Sequence, residues 1–143
     1  MVQRDVSHDQ PLLLFYDEAC PVCRASVRGI LRLAPRSSIR PVGLRTAAAD
    51  RLLQGESVAE RLQAFHLVAA DGHHWKGPDA IPPLLEQLRL RPAASLLRQS
   101  PLAFRTTARA YHWVARNRGR LGRFLPRSWG RPLQESELPE GPV

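Results

Sequence analysis

The feature that most constrains this chain is a short apolar run followed almost at once by paired cysteines. Leu12-Leu13-Leu14-Phe15-Tyr16 has no charged position, which is the pattern of a strand buried on both faces. Asp17-Glu18-Ala19 follows, and then Cys20-Pro21-Val22-Cys23. Beyond it, apolar residues at 23, 27, 30, 31 and 34 keep helical spacing and predict a helix over 22–33, stopped by Pro35. Arg24, Arg28 and Arg32 fall on the opposite face of that helix.

The rest of the chain continues the alternation. A second strand is expected over 39–44, confined to a sheet edge by Pro41. Thr46 starts a short helix ended by Gly55, and Ser57 to Glu60 form a capping box. A third strand over 64–70, the turn Asp71-Gly72 and a returning strand over 73–76 make a hairpin. Asp79 is expected to cap a helix reaching about residue 90, with Pro82 and Pro83 in its first turn. The order is a thioredoxin-like α/β plan: β-α-β, a helix, then β-β-α around a small mixed sheet.

Pro92 and Pro101 open two further helices, the second reaching about residue 117 on an apolar stripe of Phe104, Ala108, Tyr111 and Ala115. The expected organisation is one domain over 11–126, with a helical extension at about 92–118. Residues 1–10 and 127–143 are expected as flexible termini, and the Pro-, Gly- and Glu-rich 132–143 as a disordered tail.

At 143 residues, 43% of them apolar, the chain can bury a core without staples. No apolar run approaches the ~20 residues of a membrane span, and residues 1–10 lack an apolar signal core, so a cytoplasmic location is the default. The two cysteines are the only ones, so their spacing points to redox chemistry or part of a metal site rather than a secreted disulfide framework.

Thiol–disulfide exchange needs a thiolate that attacks and a second thiol that resolves the mixed disulfide. Cys20, at the start of the helix where free amides favour an anion, is the candidate nucleophile and the more accessible thiol. Cys23, one turn in and partly covered, is the candidate resolving thiol. Pro21 and Val22 between them are candidate substrate contacts. Asp17, at the end of the buried strand, is either a proton acceptor for the resolving thiol or a cap for the loop amides. A zinc site would need two more ligands from His66, His73, His74 and His112, none of which has the usual His-x3–5-His spacing. No metal and no cofactor is therefore expected.

Phe15-Tyr16-Asp17-Glu18-Ala19-Cys20-Pro21-Val22-Cys23 resembles the Asp-x-x-Cys-x-x-Cys signature of the DCC family of predicted thiol-disulfide oxidoreductases. The likeness runs over about 12–126. Ser26-Val27-Arg28 with Leu31-Arg32 resembles the family's first helix. Gly77-Pro78-Asp79-Ala80-Ile81 resembles its turn before a helix, and Tyr111-His112-Trp113-Val114-Ala115-Arg116-Asn117-Arg118 its closing segment. The resemblance implies a thioredoxin-like fold and a site at Asp17, Cys20 and Cys23. The chain departs from the family in having Glu18-Ala19 where a glycine usually follows the aspartate. It departs from thioredoxins in having Arg61-Leu62-Gln63-Ala64, without proline, before the third strand. A substrate backbone must therefore dock differently from the way it does in thioredoxins.

The net charge is +8, and no acid interrupts the eleven arginines between Glu86 and Glu135. Nucleic acid or an anionic membrane surface are alternatives for that stretch, but it is expected as a solvated basic face, with no specific nucleic-acid partner. Arg116, Asn117 and Arg118 within it suit polar contacts with the active-site loop or with an anionic substrate such as glutathione, the alternative being a C-terminal helix docked by charge-assisted bonds. The expected substrate is a thiol or disulfide, on a protein or a small molecule. A thioredoxin-like binding module without turnover and a zinc-binding protein are the alternatives.

Overall fold

The computed structural model describes residues 10–35 and 37–139. The chain enters through strand β1 (Leu12–Tyr16), turns into helix α1 (Pro21–Leu33) and returns in β2 (Ile39–Gly43). Helices α2 (Ala47–Leu52) and α3 (Val58–Arg61) lead to β3 (His66–Val68) and β4 (His74–Lys76). The four strands form one mixed sheet in the order β2-β1-β3-β4. β1 pairs parallel with β2, Leu14 opposite Pro41, and antiparallel with β3, Leu14 opposite Leu67. β1 is thus interior, and β2, with its proline, lies at the edge.

Alternation along β1 sends side chains to both faces of the sheet. Leu12 and Leu14 join Val27 of α1, Ile39, Leu67, Ala80 and Leu84 on one face. Phe15 joins Val42, Leu44, Ala49, Leu53 and Val68 on the other. Burial on both sides explains why this strand carries no charge.

The hairpin turns at Gly72, whose φ of +88° suits glycine, and Asp71 accepts a hydrogen bond from the His73 amide. Asp79 caps no helix; it lies inside a 3-10 turn, Gly77–Ala80, that begins at Gly77 with φ +58°. The helix after it, α4 (Ile81–Gln87), starts at Ala80 with no side-chain cap and holds Pro82 and Pro83 in its first turn.

Helices α5 (Arg91–Gln99) and α6 (Pro101–Phe124) follow. α6 passes the expected end at 117. It stops where Pro126 follows Leu125, whose backbone is extended (φ −72°, ψ 139°).

Residues 127–139 are not the loose tail their composition suggests. They form α7 (Arg127–Gly130) and a 3-10 turn, Glu135–Glu137, and α7 lies against α1. The anchor is Arg28, expected on a solvent face of α1 but only 5% exposed. Its guanidinium donates to Glu137 Oε1 at 2.8 Å, to Arg131 O at 2.9 Å, and to the carbonyl of Trp129. Glu137 is held down to about 2 by its hydrogen bond from Arg28, by the Gln134 amide and by Arg131. Expected residues 140–143 of the tail, and 1–9 of the N-terminal arm, lie outside the described residues.

Removing this anchor should release the segment. Arg28→Ala deletes a buried donor set whose acid partner is only partly covered, so the cost should be about 2 kcal/mol rather than the larger penalty of a fully buried pair. We expect a fall of about 5 °C in Tm and faster limited proteolysis within 126–139. An unchanged proteolysis pattern would show that Arg28 does not hold the segment.

Candidate active site

The site forms where β1 hands over to α1. Cys20 is the N-cap residue of α1, with extended backbone, and its Sγ accepts a hydrogen bond from the Cys23 amide at 3.4 Å. A sulfur here takes the place of the oxygen that usually caps a helix. Both cysteines are free thiols. Cys20 is buried, 8% exposed, and Cys23 is part-buried, the reverse of the expected accessibility. The helix start is enclosed: a Cβ added at Gly130 would lie 3.0 Å from the Pro21 side chain, and one at Gly122 would lie 3.6 Å from it. The approach is tight at Gly130 of α7, where a Cβ would crowd Pro21, and at Gly122 of α6 it leaves room for ordinary contact.

The acidities of the two thiols are split in the expected sense. Cys20 is lowered to about 6 by its hydrogen bond from the Cys23 side chain, by the amides of Cys23 and Val22, and by the charge of Arg118, against the opposing effect of burial. Cys23 is pushed up by its hydrogen bond to Cys20, by burial and by the Cys20 charge. The proton shared by the pair therefore resides on Cys23.

Arg118 links the thiols to the rest of the site. One guanidinium nitrogen lies 3.8 Å from Cys23 Sγ and 3.6 Å from Asp17 Oδ2. The other donates to Leu62 O at 2.9 Å. Leu62 belongs to the stretch that lacks a proline, and no peptide bond is cis among the described residues. Asp17 is buried. Its Oδ1 accepts from the Ala19 amide at 3.0 Å and from Arg45 Nε at 3.2 Å, while its carbonyl accepts from the Cys20 amide at 3.1 Å.

Glu18 is tied down as well. Its carboxylate accepts from the Arg45 amide at 3.1 Å, in space that a Cβ on Gly43 would fill, and its carbonyl accepts from Arg24 at 2.8 Å. The acidic loop is thus pinned to the turn after β2.

The other sequence candidates divide. Pro21 packs against Gly122 and Gly130, and Val22 lines a cavity of about 290 Å³ between α1 and α6. Cys23, Phe65, Tyr111, Ala115 and Arg118 line the same cavity. Arg116 and Asn117 do not reach the thiols: Arg116 is exposed, and Asn117 Nδ2 donates to Trp113 O, one turn back, at 2.7 Å. Of the three expected polar residues, only Arg118 reaches the thiols. The apolar stripe 104, 108, 111, 115 extrapolates to 118 and 122, so its own spacing points inward. Tyr111, on that stripe, accepts from the Phe65 amide at 3.2 Å and lies 3.7 Å from where a Gly77 Cβ would stand.

The histidines lie elsewhere. His66 Nδ1 and His74 Nε2 are 2.8 Å apart across β3 and β4, and His112 is exposed. Among the described residues no group of three or more His, Cys, Asp or Glu is placed to hold a metal ion. Nor is any of the described helices long and apolar enough to cross a membrane.

A thioredoxin-like sheet with two adjacent thiols at the start of its first helix defines a class of dithiol proteins. Residues 14–124 match the DCC1-like thiol-disulfide oxidoreductase family, and the chain belongs to that family. No curated protein and no solved structure matches the chain.

The split in acidity can be read directly. Alkylation of Cys20 by a small reagent should rise through a midpoint near pH 6, since only the thiolate reacts. Arg118→Gln should move that midpoint upward by about half a unit, the effect of a part-exposed charge. A midpoint near 9, the ordinary thiol value, would contradict the geometry.

Proposed function

We propose that the chain is a thiol–disulfide oxidoreductase that uses Cys20 as nucleophile and Cys23 as resolving thiol, in one thioredoxin-like unit over 11–126. The observation that carries this is the asymmetry of two adjacent thiols beside one arginine. Cys20 is lowered to about 6 while Cys23 is raised, so one thiol attacks and the other keeps its proton.

In the first step the Cys20 thiolate attacks one sulfur of a substrate disulfide. A Cys20–substrate disulfide forms, and the other half leaves as a thiolate. In the second step Cys23 passes its proton through water to the thiolate released in the first step and attacks Cys20 Sγ. The Cys20–Cys23 disulfide forms, and the remaining substrate half leaves as a thiolate. Two electrons pass from the dithiol to the substrate, and the reverse sequence oxidises a substrate dithiol.

The second step needs an ionised Cys23, and two of the three causes that raise it come from Cys20 itself. Once Cys20 is in the mixed disulfide, its charge and its hydrogen bond are gone. Burial is then opposed by Arg118, 3.8 Å away. Arg118 thus stabilises the Cys20 anion before the attack and the Cys23 anion after it. Asp17, between Arg45 and Arg118, acts as a positioning residue for the loop and the guanidinium. The substrate is a thiol or disulfide of a protein or a small molecule such as glutathione.

Two variants test the sequence of steps. Cys23→Ser should trap a mixed disulfide on Cys20 that wild type releases. Arg118→Gln should slow release roughly three- to tenfold, following the thiolate fraction of Cys23. Intact-mass measurements over a quenched time course read both. A chain that binds thiols but forms no adduct in Cys23→Ser would be a binding module without turnover.

A further inference from the structure

The outward face of α6 carries a pattern that the dithiol chemistry does not use. Leu102, Trp113 and Phe124 are 75%, 54% and 86% exposed. They are spaced eleven residues apart, close to three helical turns, so each drifts by only about 20° from the last. The three large apolar side chains therefore form one straight row, about 33 Å long, on the side of α6 opposite Tyr111, Ala115 and Arg118.

Arginines interleave with that row. Arg109, Arg116 and Arg120 fall within about 40° of it, and Arg105 and Arg123 within about 60°. All five are exposed, as is Arg127 of α7, and among the described residues none of these six has an ion-pair partner. The arginines of this region that are paired, Arg98 with Glu86, Arg118 with Asp17 and Arg131 with Glu137, lie off the row.

We propose that this face docks on an anionic lipid bilayer. A flat, negatively charged surface complements a 24-residue helix that presents exposed guanidinium groups along its length. The headgroup layer also takes up aromatic side chains, and arginine stems lie along apolar surface while their heads stay in water. A nucleic-acid backbone would satisfy the arginines but would leave Leu102 and Phe124 uncovered. The row ends level with the dithiol but across α6 from it: Phe124 follows Gly122 by two residues, and exposed Trp129 precedes Gly130, the two glycines that face Pro21. Docking would hold Cys20 and Cys23 about one helix diameter from the bilayer surface.

Co-sedimentation of the full chain with vesicles at about 150 mM salt tests this, where long-range attraction is already screened. Binding to phosphatidylcholine vesicles containing phosphatidylglycerol should exceed binding to pure phosphatidylcholine at least tenfold. Leu102→Ser/Trp113→Ser/Phe124→Ser keeps every arginine and should lower binding about tenfold with an unchanged melting curve. Arg109→Gln/Arg116→Gln/Arg120→Gln should abolish the preference for anionic vesicles, and it serves if the serine variant melts early. Equal binding to both vesicle types, wild-type binding by either variant, or tighter binding to a duplex DNA at the same salt would each overturn the proposal.

Discussion

The first amides of a helix have no partner within it, and in α1 the Cys23 amide is taken by the sulfur of Cys20. That contact fixes most of what surrounds it. It sets the side chain of Cys20 against the helix start, where an anion is favoured, and it brings the two thiols together. β1 must then end one short loop earlier, which places Asp17 beneath the turn. The carboxylate of Asp17 in turn recruits Arg45 from the turn after β2 and Arg118 from α6. A buried carboxylate is costly without such partners, and here the partners are what assemble the site.

α6 serves two surfaces with one helix. Its inner stripe, from Phe104 through Tyr111 to Arg118 and Gly122, closes the cavity beside Cys23 and narrows to glycine where Pro21 approaches. Its outer row carries exposed arginines and exposed apolar side chains. The family match ends at 124, and α7 and the segment to residue 139 lie beyond the matched part. Arg28 and Arg24 hold that segment by main-chain carbonyls as well as by Glu137; Arg24 Nε reaches Gly130 O at 2.6 Å. The contact is therefore set by chain path more than by side-chain identity.

Much of this was legible in the sequence because it is written locally. The uncharged run of β1, the proline of β2, the Asp71-Gly72 turn and the stripe of α6 each report on their own backbone. What could not be read depends on distant partners. The Pro-, Gly- and Glu-rich tail looks solvated until Arg28, about a hundred residues earlier, supplies donors for its carbonyls. Arg28 itself looks solvent-facing by helical phase, and only the returning segment buries it. Asp79 resembles a cap, but Gly77 in positive φ starts a 3-10 turn that uses up the position. Arg116, Asn117 and Arg118 drew attention by chemistry together, and helical phase selects Arg118 among them. The sign of the acidity split followed from position in the motif; the low exposure of Cys20 did not, because its cover is not local.

A guanidinium does not lose its charge at any pH a protein survives, so Arg118 is a constant neighbour to the thiols rather than a titrating one. The proton content of the reduced pair then changes near pH 6 through Cys20 alone. Below that pH the reduced form holds two protons, and above it one, on Cys23. Each proton taken up with an electron pair changes a two-electron potential by about 30 mV per pH unit. The midpoint potential of the Cys20–Cys23 couple should therefore fall by about 60 mV per pH unit in acid and only about 30 mV beyond the break. Around neutrality such a couple drifts half as far with ambient acidity as a glutathione-type thiol that still holds its proton, so a rise in pH alone shifts electrons from the thiol pool toward this chain.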